Sequence, residues 1–301
     1  MKQLIFRKRV FLIATIFLFL FLFSACHRSL PPEQPDNNSE QPDLSADGSD
    51  NAVQSVVTIA QVQPGVLYED DMVKISVDGM EMVEGYPEIL CTFENKSDLQ
   101  LRFSKDNIIV NGIVLPIDIY TSPAPHSTEQ ARMTFTGYEM EKVKITHISS
   151  IEIDMTLVNH VTWEDLYTLP RMIVPMKDDP GAPVQEEGQV LADNEETRIT
   201  LIEATQQEET VECRLLVENK GLEKFMVSTT GFIINGIEVP DSAYYADVPS
   251  GCKAPLNISI LTSVLSDFYG IDTLKEMSVS VNLFSDSRGE YMYIDDMKVF
   301  P

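Results

Sequence analysis

The sequence predicts an all-β chain in which one sandwich-sized unit is written twice. Three observations support this. Short strings recur in constant register, apolar residues alternate with period two inside each copy, and an Asn-Gly pair sits at the same place in both. Glu94-Asn95-Lys96 returns as Glu218-Asn219-Lys220, an offset of 124 (94 to 218), and the same offset carries Asn111-Gly112-Ile113 onto Asn235-Gly236-Ile237. It also carries Val66-Leu67 onto Val190-Leu191, Pro116 onto Pro240, Tyr120 onto Tyr244 and Pro125 onto Pro249. Beyond Pro125 the offset grows by two, so Ile151 meets Met277 and Leu157 meets Leu283. The copies therefore span residues 64–175 and 188–301, each an ordinary length for a single core. A linker at 176–187 joins them and holds Pro180, Gly181 and Pro183. The second copy runs to the last residue, and a third domain is not expected.

From the start of the chain, the first element is an export signal. Lys2, Arg7, Lys8 and Arg9 precede an apolar run from Val10 to Phe23 that only Thr15 interrupts, and Ser24-Ala25-Cys26 follows. A basic start, an apolar stretch short for a membrane span and small residues at a cut site read as a signal peptide over residues 1–25. The other reading of the same residues is an uncleaved N-terminal anchor, and both put the rest of the chain outside. The next segment, 26–63, holds Pro31, Pro32, Pro35 and Pro42 among Asn, Ser, Asp, Glu and Gln. Such a composition buries too little apolar surface to offset its ordering entropy, so a disordered tether is expected, with a reach of roughly 35 Å.

Strands fill each copy. In Ile89-Leu90-Cys91-Thr92-Phe93 the odd positions suit an inner face, as do Val211, Cys213, Leu215 and Val217 in the second copy. Asn111-Gly112 and Asn235-Gly236 stand between apolar runs and supply the two positive φ angles of a type I′ hairpin. Ile151, Ile153, Met155 and Leu157 alternate with polar residues, and Met277, Val279, Val281 and Leu283 repeat the pattern. One short helical turn per copy is expected. Thr136 and Glu139 form a capping box in the first, and Ser263 to Tyr269 runs up to Gly270 in the second. Seven or eight short strands per copy indicate two tandem immunoglobulin-like β-sandwich domains. The Cys, Trp, Cys pattern of antibody domains is missing, so the likeness is one of architecture.

Two resemblances follow from these residues. Ser24-Ala25-Cys26 after the apolar run resembles the lipobox of bacterial lipoproteins, with Phe23 where that pattern prefers Leu. The resemblance implies that the Cys26 thiol is acylated, that cleavage makes Cys26 the first residue, and that a two-chain lipid tethers the protein stably to the outer face of the cell membrane. Asn-Gly-Ile, the Pro soon after it and Phe284-Ser285-Asp286-Ser287 resemble a repeat of Gram-positive bacterial lipoproteins that carries no activity to transfer. That likeness covers both copies.

Charge narrows the partners. The chain has a formal charge of −25, and loss of the four signal cations takes it to −29. So much acid repels nucleic acid and anionic surfaces, so no nucleic-acid role is expected. Cys91 and Cys213 fall on inner strand faces and read as small hydrophobes. Cys252 aligns with Thr128; a Cys213–Cys252 bond and free thiols both remain open, and the first copy does without such a bond. His27, His126, His147 and His160 lack metal-type spacing. Glu69-Asp70-Asp71 matches Asp193-Asn194-Glu195-Glu196, which reads as a weak calcium site at each domain entry or as solvated edge charge. Trp163, the only Trp, aligns with Gly289 just before Tyr291 and Tyr293. These three aromatics are the candidate partner contacts, with a Trp packed over the sandwich end as the other reading.

The expected function is therefore a non-catalytic, extracytoplasmic module that binds a protein or wall polymer, with no cofactor and no metal. A passive surface spacer, a small-ligand or calcium-binding protein, and a carboxylate hydrolase are the alternatives. The last lacks a nucleophile elbow, phosphate loop or metal cluster in the sequence.

Overall fold

The computed structural model describes residues 58–83, 86–135, 140–141, 143–177, 188–240 and 244–300. The signal segment, Cys26, His27, most of the tether and linker residues 178–187 lie outside them. The described chain is mostly strand. β1 (Thr58–Ile59), β2 (Gly65–Glu69), β3 (Val73–Val83), β4 (Tyr86–Asn95), β5 (Leu101–Val110) and β6 (Ile113–Leu115) come first. β7 (Tyr120–Thr121), β8 (Ser127–Thr134), β9 (His147–Ile148), β10 (Ile151–Asn159), β11 (Asp165–Thr168) and β12 (Met172–Ile173) follow. Then come β13 (Gln189–Asp193), β14 (Thr197–Gln206), β15 (Thr210–Asn219), β16 (Phe225–Ile234) and β17 (Ile237–Val239). β18 (Tyr245–Val248), β19 (Lys253–Leu261), helix α1 (Thr262–Tyr269), β20 (Met277–Ser285) and β21 (Gly289–Phe300) complete it.

The pairing order occurs twice. β2-β3-β4-β8 is matched by β13-β14-β15-β19, and β6-β5-β10-β11 by β17-β16-β20-β21, with β7 on β5 and β18 on β16. Alternation decides which faces are inside. Ile89, Cys91 and Phe93 of β4 join Ile151, Ile153, Met155 and Leu157 of β10 in one hydrophobic cluster. Val211, Cys213, Leu215 and Val217 join Met277, Val279, Val281 and Leu283 in a second. Both Asn-Gly pairs turn hairpins, with φ of 49° and 80° at Asn111-Gly112 and 51° and 78° at Asn235-Gly236. Glycine meets the second angle without a Cβ penalty. Each Asn does more than turn: Asn111 Nδ2 donates to His147 O, and its Oδ1 accepts from the Ser149 and Ser150 amides. Asn235 does the same with Thr273 O and the Lys275 and Glu276 amides.

The two sets of strands meet at a joint that the alternation did not announce. β6 and β19 run parallel at Ile113 and Lys253, and the Lys253 amide donates to Gly112 O at 2.9 Å. Leu216 packs into the first cluster and Val114 against the second. Arg171 closes the seam: its Nε and Nη2 donate to the two oxygens of Asp154 at 2.9 and 3.0 Å, and Nη1 reaches Glu152 Oε2 and Cys252 Sγ. The joint explains two three-residue apolar runs, Ile108-Ile109-Val110 and Leu215-Leu216-Val217, whose middle residues face outward yet are buried.

Three expectations change. Residues 58–62 are not tether: β1 pairs with β9, Val62 bridges Met176, and Ala60 and Val62 are buried, so apolar residues two apart supply the burial that ordering needs. The second helix is eight residues rather than a single turn, closing on Gly270 in the left-handed conformation at φ 67°. The first falls on 136–143, of which Met140 and Glu141 are described as helical. Finally, strand register pairs Glu218 with Lys253 as it pairs Glu94 with Thr128, so Cys252 aligns with Ser127 rather than Thr128.

Candidate functional site

The hairpin loop between β10 and β11 is built to hold a tryptophan outward. Asn159 Oδ1 accepts from the Val161 and Thr162 amides, and its carbonyl accepts from the Trp163 amide at 2.8 Å. Asn159 N–H in turn donates to Glu164 O, and His160 N–H donates to Gln100 O. This folding sets Trp163 at φ 61°, an uncommon angle for a bulky side chain, at the position where the second set has Gly289 at φ 65°. Trp163 is 63% exposed and Val161 beside it is exposed too.

Beneath the loop the rings line up on one guanidinium. Arg102 Cζ lies 4.7 Å from the Trp163 ring centroid and 5.0 Å from that of Tyr120, so cation–π attraction organises both rings. His160 stacks on Trp163 with centroids 6.0 Å apart, and its Nδ1 lies 3.0 Å from Ser122 Oγ. Ser122 Oγ also donates to Leu101 O, which ties the platform to β5. Trp163, Tyr120 and Val161 thus offer an exposed apolar and aromatic surface with a positive charge stacked behind it. Such a surface can stack on a sugar face or an aromatic or proline side chain, while Arg102 answers a nearby carbonyl or carboxylate. Sequence reading named Trp163, set His160 aside with the histidines that lack metal-type spacing, and missed Arg102 and Tyr120 as parts of the platform. Tyr120 was visible only as a repeat identity with Tyr244.

The other two aromatics separate. Tyr291 is half-buried with the Arg288 guanidinium 4.0 Å over its ring, and Arg288 is tied to Glu196. Tyr293 is exposed and donates to Asp295 Oδ1 at 3.0 Å. Neither touches Trp163 among the described contacts.

The acidic stretches at the strand entries are turn caps. Asp70 Oδ1 accepts from the Met72 and Val73 amides at 2.8 Å, and Oδ2 accepts from the Tyr68 and Tyr167 hydroxyls at 2.9 and 2.6 Å. Burial pushes the Asp70 carboxyl up, but these four donors outweigh it and leave it below the ordinary carboxylate range. Asn194 caps the matching turn through the Glu196 and Thr197 amides. Lys96 bonds Glu69 and the Asp70 carbonyl, and Lys220 bonds Asp193 and the Asn194 carbonyl. The side-chain oxygens of Asp70 and Asn194, and oxygens of Glu69 and Asp193, are therefore engaged by protein donors. Among the described residues no group of three or more His, Cys, Asp or Glu side chains has the geometry to hold a metal ion.

Cys91, Cys213 and Cys252 are free and buried. Burial pushes the Cys91 and Cys213 thiols up to about 12, and it pushes Cys252 up against the opposing pull of Arg171. All three stay protonated, as small packing groups do. His126 sits in a turn at φ 54° beside Asp98, and His147 lies 2.8 Å from Thr58 Oγ1.

No family model matches the chain, and neither does any curated protein sequence. Among solved structures it is similar to the YadV chaperone at 11% identity and a TM-score of 0.23, over 70% of this chain and 89% of that one. It is also similar to red sea bream transglutaminase at 8% identity and a TM-score of 0.19, over 75% of this chain and 29% of that one. At these scores neither likeness carries an argument about function.

Proposed function

We propose that the chain is an exported lipoprotein, anchored at Cys26 to the outer face of the cell membrane, that recognises a protein or wall polymer without catalysing a reaction. Two tandem immunoglobulin-like sandwiches of the repeat seen in Gram-positive lipoproteins form its body, the first beginning at β1 rather than at residue 64. The doubled pairing order and the two hydrophobic clusters support that reading. The observation that carries the binding role is Trp163: a large ring kept in solvent at a backbone angle that suits glycine better, backed by Arg102 and Tyr120. A loop that served only as a connection would gain by using glycine there, as the second hairpin does. The acidic body favours solubility and distance from the anionic membrane, which suits a displayed receptor.

The test is co-precipitation from surface-cross-linked cells that express the full chain, compared with Trp163→Gly. One partner recovered saturably with the natural chain and lost with the variant supports recognition. A partner recovered equally in both would overturn the role of Trp163, and only background in both leaves the passive spacer.

A further inference from the structure

The joint between the strand sets has an unoccupied counterpart. In the first set, edge strand β6 receives β19, and the outer face beside it is filled by Arg171 on Asp154. The repeat register places β17 where β6 stands, Gly231 where Asn107 stands, and Ser280 where Asp154 stands. β17 ends its sheet, with no strand beyond it among the described residues. Ile109 is 1% exposed, whereas its counterpart Ile233 is 41% exposed. Where Asn107 reaches Asp154, Gly231 leaves space, and a Cβ built there meets nothing within 4 Å. The result is a groove of about 480 Å³ lined by Gly231, Phe232, Ile233, Glu238, Tyr293 and Asp295, among others.

The lining charge is specific. Val114 of β6 becomes Glu238 in β17, and Asp295 Oδ1 accepts from Ser280 Oγ at 2.6 Å and Tyr293 OH at 3.0 Å. Those two bonds hold Asp295 below the ordinary carboxylate range, so it is charged at neutral pH. Lys298 lines a different hollow, with Gln189 and Phe300.

We propose that an extended, basic segment of a partner protein adds as a strand to β17 and sets a lysine or arginine side chain into this groove, between Glu238 and Asp295 and against Tyr293. The seat copies the internal joint in its edge and its cation. It differs in that, among the described residues, neither carboxylate has an arginine partner such as Arg171 gives Asp154 in the first set. β-addition gives the affinity through main-chain bonds, and the acidic groove selects the side chain. The site is separate from the Trp163 platform and stands or falls without it.

The full chain, purified in detergent, is titrated with a fluorescent nine-residue peptide of alternating valine and lysine, and amide hydrogen exchange is followed by mass spectrometry. Saturable binding is expected, with slowed exchange over 236–240. Affinity is expected to fall at least tenfold with Glu238→Gln/Asp295→Asn and with Gly231→Asn, which copies the first set, and to stay unchanged with Trp163→Gly. Both acidic changes are on the exposed surface and leave the core intact, so folding is not at issue. No saturation, equal binding of a valine–glutamate peptide, or equal binding after backbone N-methylation would each overturn the proposal. Concentration-dependent self-association lost in the acidic double variant would assign the edge to a second copy instead and overturn it too.

Discussion

Asn95 and Asn219, the last residues of β4 and β15, are buried polar groups with the same work to do. Asn95 Nδ2 donates to the carbonyls of Leu99, Pro123 and Ala124, and its Oδ1 accepts from Ser97 N and Oγ. Asn219 Nδ2 donates to Glu223 O and Val248 O, with Oδ1 taking the Gly221 amide. Removing either side chain strands several buried groups at once, so Asn95→Ala is expected to cost about 3 kcal/mol in urea unfolding. A loss below about 1 kcal/mol would mean that the clamp is dispensable. Trp163 behaves oppositely. Relief of its left-handed angle, about 1 kcal/mol, offsets a lost cation–π contact of about 0.5–1 kcal/mol. Trp163→Gly should therefore leave stability within about 1 kcal/mol of the natural chain, whereas a tryptophan packed into a core costs about 3–5 kcal/mol when truncated. Asp70 sets an acid-sensitive element. Its folded value is depressed, so its contribution is fully present above the unfolded value of about 3.9 and is lost as pH falls through the folded value. Asp70→Asn should lower the urea midpoint near neutrality and flatten its decline below about pH 4. A decline as steep as in the natural chain would remove Asp70 as the cause. At this scale the sequence marked the right residues for incomplete reasons. Repetition singled out Asn95, Asn111 and Asp70, but their carbonyl and amide partners lie about 30 to 40 positions away or across a turn, where no spacing rule reaches.

Strands and turns were the most readable elements, because period-two alternation and the Asn-Gly hairpins are set by neighbours in sequence. What misled was burial on the second face. Ile109 and Leu216 interrupt clean alternation, and the interruption is the mark of the joint rather than noise. The same lesson applies just after β1, where Ala60 and Val62 were counted with the tether because four prolines dominated the segment before them. The joint makes equivalent positions unequal. Ile109→Ser should destabilise by about 3 kcal/mol, and Ile233→Ser by about 1 kcal/mol or less. Paired denaturation curves check this, and equal losses would mean that the outer faces of β5 and β16 are covered alike.

At the scale of the whole molecule, the continuous sheet through β6 and β19 joins the two strand sets, and Arg171, held by Asp154, reaches Cys252 Sγ across the seam. The joint ties the strand set that carries the Trp163 platform to the set that carries the β17 edge. The proposed anchoring at Cys26 makes its own prediction. Cells fed an alkyne-tagged fatty acid should label the natural chain, and Cys26→Ala should be unlabelled and retain its signal segment. No label on the natural chain would point to the uncleaved anchor, and label persisting in the variant would place the lipid on another residue. Site-specific photo-cross-linking tests the proposed recognition through the platform. A photoreactive residue replaces Val161 beside Trp163, and in a parallel chain it replaces Phe268 of α1, which is also exposed. One discrete adduct is expected from position 161 that saturates with expression, is absent at position 268, and disappears when Trp163 is also changed to Gly. Adducts equal at both positions, or an adduct at 161 that survives the loss of Trp163, would contradict it.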